Sequence, residues 1–184
     1  MSDIFASAII DTDRLRLVPF DDAHIPELNA INNEPEVRRF LSDDQPESLE
    51  RTQQMVSRSR ERWQDLGFSW WTLLQAAEDR IIGAACLQHI ANVPGTELEI
   101  GWRLSMTATG HGYATEAGLA AAKFAFDIVG VDHVVATADQ RNIASHKVME
   151  RIGMTFRGIE THYDAPCTTY VLYRSDLSPS PESA

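Results

Sequence analysis

The chain has 184 residues and a formal net charge of −11, and 43% of its residues are apolar. This length suffices for one domain with a substantial core and is short for two. Net acidity argues against general nucleic-acid binding, which needs a positively charged surface. No apolar run approaches the ~20 residues that span a bilayer, and residues 1–10 lack the basic start of a secretory signal. We therefore expect a cytoplasmic protein with neither nucleic-acid nor membrane partners. Either a monomer or a homodimer is expected.

The first half of the chain predicts one strand, three helical segments and a hairpin. Residues 12–18 alternate leucine with arginine, and this period of two is typical of a strand with one buried face. The helical segments that follow lie at residues 23–32, 35–41 and 46–66. Residues 69–75 and 80–88 are rich in apolar and branched side chains and are separated by a polar turn, which predicts a β-hairpin.

The second half of the chain predicts alternating strands and helices. The strands lie at residues 97–104, 133–138, 154–163 and 168–174, and the helices at residues 115–129 and 142–152. The side chains expected to share one face of the first helix are Ala117, Ala121, Phe124 and Ile128. The second helix has Asn142 at its N-cap, because an asparagine side chain accepts from free N–H groups of the first turn.

This order of elements predicts an α/β (α+β) fold with one mixed, mostly antiparallel sheet flanked by helices. The strand–helix–strand unit over residues 97–138 should add parallel pairing, since a helix returns the chain to the same edge of the sheet. We expect a single domain over residues 8–177. Residues 178–184, which begin Ser-Pro-Ser-Pro, are expected to form a flexible C-terminal tail.

A glycine-rich loop, Thr109-Gly110-His111-Gly112-Tyr113-Ala114, stands between a predicted strand and a predicted helix. Glycine lets the backbone turn tightly and approach a ligand, because it has no Cβ. The start of the next helix adds free N–H groups and a positive dipole end, which together suit a pyrophosphate. By itself, however, Gly-x-Gly before a helix is a weak signal, and a plain turn is the alternative.

Four motifs are more specific in combination. They are residues 12–17, Glu99-Ile100-Gly101-Trp102, residues 110–117, and Asn142-Ile143-Ala144-Ser145 followed by Gly153-Met154. In this order and spacing they resemble the GNAT superfamily of N-acetyltransferases, and specifically its RimJ/RimL-like branch. The resemblance covers about residues 12–176.

The resemblance implies acetyl-CoA as the co-substrate, with its pyrophosphate held by main-chain N–H groups of the loop. The residues implied in cofactor binding are Trp102, Arg103, Leu104, Gly110, His111, Gly112, Tyr113, Ala114, Thr115, Asn142 and Ser145. Two positions depart from the family pattern. Thr109 replaces the usual glutamine or arginine that opens the loop, and His111 replaces the common lysine.

Glu99 is the predicted general base, because it lies on the strand that leads into the loop and the resemblance implies a carboxylate there. Acetyl transfer to an amine requires the neutral amine, so a base has a clear task. A structural ion pair or an exposed position would be the alternative for Glu99. Glu97, two residues earlier on the same strand face, is the other candidate for the base. A backbone N–H near residues 102–104 would stabilise the oxyanion.

The general acid is harder to predict. Many family members carry a tyrosine seven residues after Asn142, where this chain has Met149, which cannot donate a proton. The branch resemblance instead implies Ser145 as the acid. Serine is a poor acid, and Ser145 could equally serve only the helix cap with Asn142.

Three acceptors or roles stay open at this stage. The branch resemblance suggests a protein N-terminal α-amine, a small amine such as an amino acid, polyamine or antibiotic is the second option, and a non-catalytic acyl-CoA-binding module is the third. The acceptor is expected to enter beside residues 23–41 and a loop at residues 163–168. The acids that could attract a cationic amine there, or could be ordinary solvated residues, are Asp43, Asp44, Glu47 and Asp164. The aromatics that could wall this pocket, or simply pack in the core, are Trp70, Trp71 and Trp102. The histidines show no metal-ligand spacing, so no metal site is expected.

Overall fold

The computed structural model describes residues 7–40 and 46–177, which form eight strands and five α-helices. The strands are β1 (Ile10–Asp11), β2 (Leu15–Pro19), β3 (Trp70–Gln75), β4 (Arg80–His89), β5 (Leu98–Leu104), β6 (His133–Asp139), β7 (Thr155–His162) and β8 (Ala165–Tyr173). The helices are α1 (Ile25–Asn32), α2 (Pro35–Arg38), α3 (Leu49–Leu66), α4 (Tyr113–Phe124) and α5 (Ile143–Ile152). Within this part of the chain, no helix is both long and apolar enough to cross a membrane.

All eight strands join one sheet in the order β1-β2-β3-β4-β5-β6-β8-β7. Every neighbouring pair is antiparallel except β5 and β6, which run parallel because α4 carries the chain back between them. The expected fold class is therefore confirmed, and so is the parallel pairing within residues 97–138.

The sheet carries apolar layers on both faces. Successive strand residues point to opposite faces. Trp71 and Ala85 accordingly join the larger core with the alanine-rich face of α4, whereas Trp70 and Ala84 pack with α1 and α3. Trp71 is fully buried, and Trp70 is only half-buried. The helices on the two sides thus leave the face that bears Trp70 partly open.

A π-helical turn, Ala125–Val129, follows α4 and corrects one expectation. Phe124 is buried as expected, but Ile128 is 69% exposed. The Gly130 N–H bonds to the carbonyl of Ala125, five residues back, at 2.9 Å. Such a wide turn takes more residues than an α-helical one, so Ile128 leaves the face that Ala117, Ala121 and Phe124 share.

The turn between β7 and β8 corrects the expected loop at residues 163–168. Only Tyr163 and Asp164 lie between the strands, and both have positive φ (54° and 59°). This is the two-residue hairpin turn with both central residues left-handed, a conformation that usually takes glycine or asparagine. A tyrosine at its first position gave no turn signal, so β8 was predicted to start at residue 168 and begins at Ala165.

Other element ends differ less. Helix α3 begins at Leu49 and not at residue 46, because the Ser48 side chain caps it by accepting from the Arg51 N–H at 3.2 Å. Strand β1 is too short to carry a sequence pattern and was not predicted. The expected tail at residues 178–184, and residue 41 of the helical segment 35–41, lie outside the described residues.

Candidate active site

Strands β5 and β6 pair with each other at Glu99 and Val135, and no later pair joins them in the described chain. Because the two strands are parallel, their carboxyl ends lie at the same edge of the sheet. The glycine loop leaves β5 there, and α5 begins just after β6. The fold therefore brings the loop at residues 110–115 to the same edge as Asn142 and Ser145, beside a gap between two diverging strands.

The glycine loop has the backbone geometry of an anion cradle. Gly110 and Gly112 have φ of 79° and 82°, which a residue with a Cβ rarely adopts. Gly112 is the N-cap of α4 and supplies no capping side chain. The N–H groups of Tyr113, Ala114 and Thr115, in the first turn of α4, have no acceptor within the helix.

A second observation also fits an anion at this loop. The hydroxyl oxygen of Thr115 is buried and has no hydrogen-bond partner in the described chain. His111, at the tip of the loop, is exposed and leaves room for a ligand. The loop residues therefore fit a pyrophosphate that is bound chiefly by the main chain.

An ion pair from the turn between β1 and β2 anchors this loop. The guanidinium of Arg14 binds the carboxylate of Glu116 at 2.6 and 2.7 Å and donates to the carbonyl of His111 at 2.8 Å. The Thr12 hydroxyl donates to the same carboxylate at 2.6 Å. Burial raises the pKa of Glu116, but the hydrogen bonds from Thr12 and Arg14 outweigh it and hold the pKa below its usual value. The sequence indicated residues 12–17 as a strand and as one of the four family motifs, and it gave no signal for this contact.

Glu99 is buried, with 6% of its surface exposed, and its carboxylate has two hydroxyl donors. Thr137 on β6 donates to one oxygen and Tyr163 in the β7–β8 turn donates to the other. Burial, together with the nearby Glu99 carboxylate, raises the pKa of the Tyr163 phenol, so this hydroxyl keeps its proton. Sequence reasoning missed both donors, and the 64 residues between Tyr163 and Glu99 left no local signal.

Glu97, the alternative base, is engaged elsewhere. Its carboxylate accepts from the Arg157 guanidinium at 2.6 and 2.9 Å, and it lies 2.9 Å from the ring of His133. The hydrogen bond from Arg157 is the largest influence and lowers the pKa of Glu97. Glu97 is thus one partner of an ion-pair network with His133 on β6 and with Arg157 on β7.

Helix α5 begins as expected. The Asn142 side chain accepts from the backbone N–H of Ser145 at 3.1 Å, which confirms the predicted N-cap. The side-chain oxygen of Asn142 therefore already accepts a hydrogen bond. The side-chain N–H groups of Asn142 and the Ser145 hydroxyl have no partner in the described chain. Met149, one turn later, is buried in the core.

The residues of β5 that follow Glu99 divide between the two faces of the sheet. Trp102 and Leu104 pack against the larger core, and a Cβ on Gly118 of α4 would lie 3.1 Å from the Trp102 ring. Arg103 points to the opposite face, where it donates to the Asn32 side chain at 2.6 Å and lies 4.8 Å from the ring of Trp70.

A cavity of about 600 Å³ opens on that opposite face, between the sheet and α3. Trp70, Gln88 and Arg103 are among the residues that line it from the sheet. Of the three tryptophans weighed above, Trp70 alone therefore contributes to this wall, because Trp71 and Trp102 lie in the larger core. The cavity lies beside α2 and α3, close to the expected entrance at residues 23–41.

Two of the four acids expected to attract a cation, Glu47 and Asp164, lie in the described chain, and neither offers the cavity an unpartnered carboxylate. Glu47 is a structural residue, because its carboxylate accepts from Asn32 at 2.9 Å and from Thr52 at 2.7 Å. Asp164 occupies the exposed hairpin turn. Asp43 and Asp44 lie outside the described residues. Across residues 7–40 and 46–177, no group of His, Cys, Asp and Glu side chains is arranged to hold a metal ion.

Comparison with known proteins identifies the family. A family model described as the acetyltransferase (GNAT) domain matches residues 14–155. The uncharacterized protein YkkB of Bacillus subtilis is 27% identical over 162 residues, which cover 86% of this chain and 92% of that protein. The FsC-acetyl coenzyme A-N(2)-transacetylase of Aspergillus fumigatus is 29% identical over 176 residues, with 89% and 72% covered.

Among solved structures, a similar fold is found in RimL, a ribosomal L7/L12 α-N-protein acetyltransferase in complex with coenzyme A. The TM-score is 0.75 at 19% identity, and the alignment covers 90% of this chain and 97% of that chain. The glycine loop and the family match agree, and the chain is a member of the GNAT acetyltransferase family, whose activity is acetyl-CoA-dependent N-acetylation.

Proposed function

We propose that the enzyme moves the acetyl group directly to a primary amine within a ternary complex, and that this amine is a protein N-terminal α-amine. The observation that carries the proposal is the position of Glu99. This buried carboxylate lies where β5 and β6 begin to diverge. Its partner Tyr163 also binds Gln88, which lines the cavity on the α3 side.

Glu99 acts as the general base. An α-amine has a pKa of about 8 and a lysine amine about 10.4, so a large fraction of either is protonated at neutral pH. Glu99 takes the proton from the amine, directly or through one water, as the nitrogen attacks the thioester carbonyl. Thr137 and Tyr163 hold its carboxylate in place. The engagement of Glu97 by Arg157 supports this choice between the two carboxylates.

Main-chain N–H groups at residues 102–104 stabilise the oxyanion. This part of β5 continues beyond its pairing with β6, so polar groups on that edge have no strand partner in the described chain. Fixed backbone donors at a developing negative charge contribute a large share of catalysis in acyl transfer.

Ser145 returns a proton to the departing thiolate. Its hydroxyl is free of the cap, because the cap uses its backbone N–H. A thiol with a pKa of about 8.5 is a good leaving group, so a weak acid suffices in place of the tyrosine that Met149 replaces.

The acceptor class has support from two relatives. RimL is named as an α-N-protein acetyltransferase, which favours a protein N-terminus. The Aspergillus relative is named as an N(2)-transacetylase of FsC, which favours a small amine as the second candidate. The cavity of about 600 Å³ has room for the first residues of a peptide or for a small molecule.

A thiol-release assay with acetyl-CoA tests the proposal. Purified protein is offered short peptides with free N-termini, the same peptides with blocked N-termini, and a set of small amines. We expect thiol release and a matching 42-Da mass gain only with free amines. Tight CoA binding without turnover on any amine would instead indicate a non-catalytic acyl-CoA-binding module.

A further inference from the structure

Helix α3 turns a basic stripe toward the cavity that Gln88 lines. Arg51, Met55, Arg58 and Arg62 line the cavity from this helix. Their spacing of four, three and four residues places them on one helix face. Arg103 projects into the same cavity from β5. We call Arg58, Arg62 and Arg103 the arginine wall.

The charge of this cavity opposes that of the whole chain. Five arginines and two glutamates of the described chain line it, and the three residues of the arginine wall have no ion pair with a carboxylate there, although the net charge of the protein is −11. One of those glutamates, Glu47, is already used by Asn32 and Thr52. The local excess of positive charge therefore needs an explanation other than composition.

The members of the arginine wall differ in how firmly the fold holds them. Arg103 is fixed by Asn32 and Trp70, and Arg62 donates to the Ser69 hydroxyl at 3.3 Å. Arg58 has no hydrogen bond or ion pair within the described chain. Its guanidinium is thus available to a ligand that enters the cavity.

Arg58 and Arg62 repel one another. They are four residues apart on α3, where like charges destabilise a helix. Burial first, and then the neighbouring Arg58, lower the pKa of Arg62. Two adjacent guanidinium groups that face a cavity are stabilised when an anion binds between them, and the planar donors of arginine match carboxylate and phosphate.

Hydrogen bonds link the cavity of the arginine wall to the Glu99 carboxylate. Gln88 lines the same cavity and stands opposite Glu99 in the β4–β5 register. It donates to the Tyr163 hydroxyl at 3.3 Å, and Tyr163 donates to Glu99. Arg103 follows Glu99 by four strand residues, about 13 Å. An amine at Glu99 and an anion at the wall could therefore belong to one small molecule or one short peptide.

We propose that the acceptor carries an anionic group, a carboxylate or a phosphate, which Arg58 and Arg62 bind while its amine lies at Glu99. The inference rests on the proposed function and narrows its acceptor class. It also replaces the expectation that acidic side chains attract a purely cationic amine.

Matched acceptors test this inference by steady-state kinetics. The peptide series is Ser-Glu-Ala-amide, Ser-Gln-Ala-amide and Ser-phosphoserine-Ala-amide, and the small-molecule pair is 6-aminohexanoate and 6-aminohexanamide. The two series distinguish a peptide source of the anion from a small-molecule source. In the wild type we expect a KM about tenfold lower for an anionic acceptor than for its neutral match.

The variants are Arg58→Gln and Arg62→Gln, with Arg60→Gln as the matched control. Arg60 lies on the same helix but pairs with Asp22 at 2.8 Å, away from the cavity. We expect the tenfold KM ratio to fall toward one in R58Q and R62Q and to persist in R60Q. Because the Arg58 side chain is exposed, we expect the R58Q variant to fold as the wild type does.

The outcomes separate the two proposals. Equal KM values for charged and neutral acceptors in the wild type, or an unchanged ratio in R58Q, overturn the anion site while leaving N-acetylation intact. If no amine is acetylated, the proposed function fails, and calorimetric titration of the Glu and Gln peptides into the CoA-bound protein decides the anion site. Tighter binding of the Glu peptide that is lost in R58Q supports the site, and equal binding overturns it.

Discussion

The ion pair between Arg14 and Glu116 should be needed for cofactor binding, although neither residue belongs to the glycine loop. The perturbation is Arg14→Gln, which removes the guanidinium that holds both Glu116 and the His111 carbonyl. Arg16→Gln is the matched control. Arg16 lies two residues later, on β2, and its only ion pair within the described chain is with Asp11, at 3.6 Å on the surface.

The magnitude follows from the contacts. A hydrogen bond to a charged group contributes about 1.5–3 kcal/mol where water is excluded. The Arg14 side chain is 49% exposed, so solvent screening reduces that value, and we expect about 1–2 kcal/mol for the anchor as a whole. If this free energy must be supplied by coenzyme A binding to re-order the loop, the Kd for coenzyme A rises about 5- to 30-fold.

Calorimetric titration of coenzyme A into wild type, R14Q and R16Q measures this effect, and urea unfolding gives the stability loss in parallel. We expect weaker binding in R14Q and wild-type binding in R16Q. A double-mutant cycle with Glu116→Gln should give a coupling energy of about 1 kcal/mol. The reasoning is refuted if R14Q binds coenzyme A as tightly as the wild type does.

Three further predictions concern the Arg14–Glu116 ion pair, the sheet and the Glu99 carboxylate. The pKa of Glu116 in the folded protein lies below its ordinary value of 4.5, so the stability that its carboxylate contributes is complete above pH 4.5 and is lost as the pH falls through the folded pKa. The difference in unfolding free energy between wild type and E116Q should therefore narrow in acid unfolding curves. Gly83→Ala would push a Cβ into a backbone carbonyl of β5 and should lower the free energy of unfolding in urea by about 3 kcal/mol or more. Gly101→Ala meets only a thiol side chain, at 3.0 Å, and should lower it by less. Equal losses of unfolding free energy in the two variants would contradict this. Tyr163→Phe removes one donor to Glu99 and should lower kcat about tenfold with little change in the KM for acetyl-CoA, and an unchanged kcat would count against a positioning role.

Local signals in the sequence predicted most of the fold. Alternation over residues 12–18 and the Asn142 cap depend on neighbours within a few residues, and both were predicted from sequence and are present in the structure. The π-turn that exposes Ile128 and the positive φ of Tyr163 were not predicted, because tertiary packing imposes them on residues without special propensity.

The candidate site was predictable only in its contiguous part. The glycine loop is a single run of residues, so its backbone chemistry can be inferred from sequence. The contact of Arg14 with Glu116 joins residues 102 positions apart, and that of Tyr163 with Glu99 joins residues 64 apart. Contacts over such separations have no periodicity or spacing by which the sequence could indicate them.

The arginines of α3 illustrate a different limit. Their spacing is visible in the sequence, but an arginine stripe on a helix is most often a solvated face. Only the fold places Arg58 and Arg62 in the same cavity as Gln88, which donates to Tyr163, a donor to Glu99. Acidic side chains were expected to attract a cationic amine, whereas arginines outnumber carboxylates among the described residues that line the cavity.

The central claim, that Glu99 removes the proton from the acceptor amine, is tested most directly by Glu99→Gln. The measurement is kcat as a function of pH with a free-amine acceptor, alongside the Kd for coenzyme A. The account predicts that kcat falls about 100-fold at neutral pH and recovers in part at high pH, where the amine loses its proton unaided, while the Kd stays at the wild-type value. A wild-type kcat in E99Q across the pH range would contradict it.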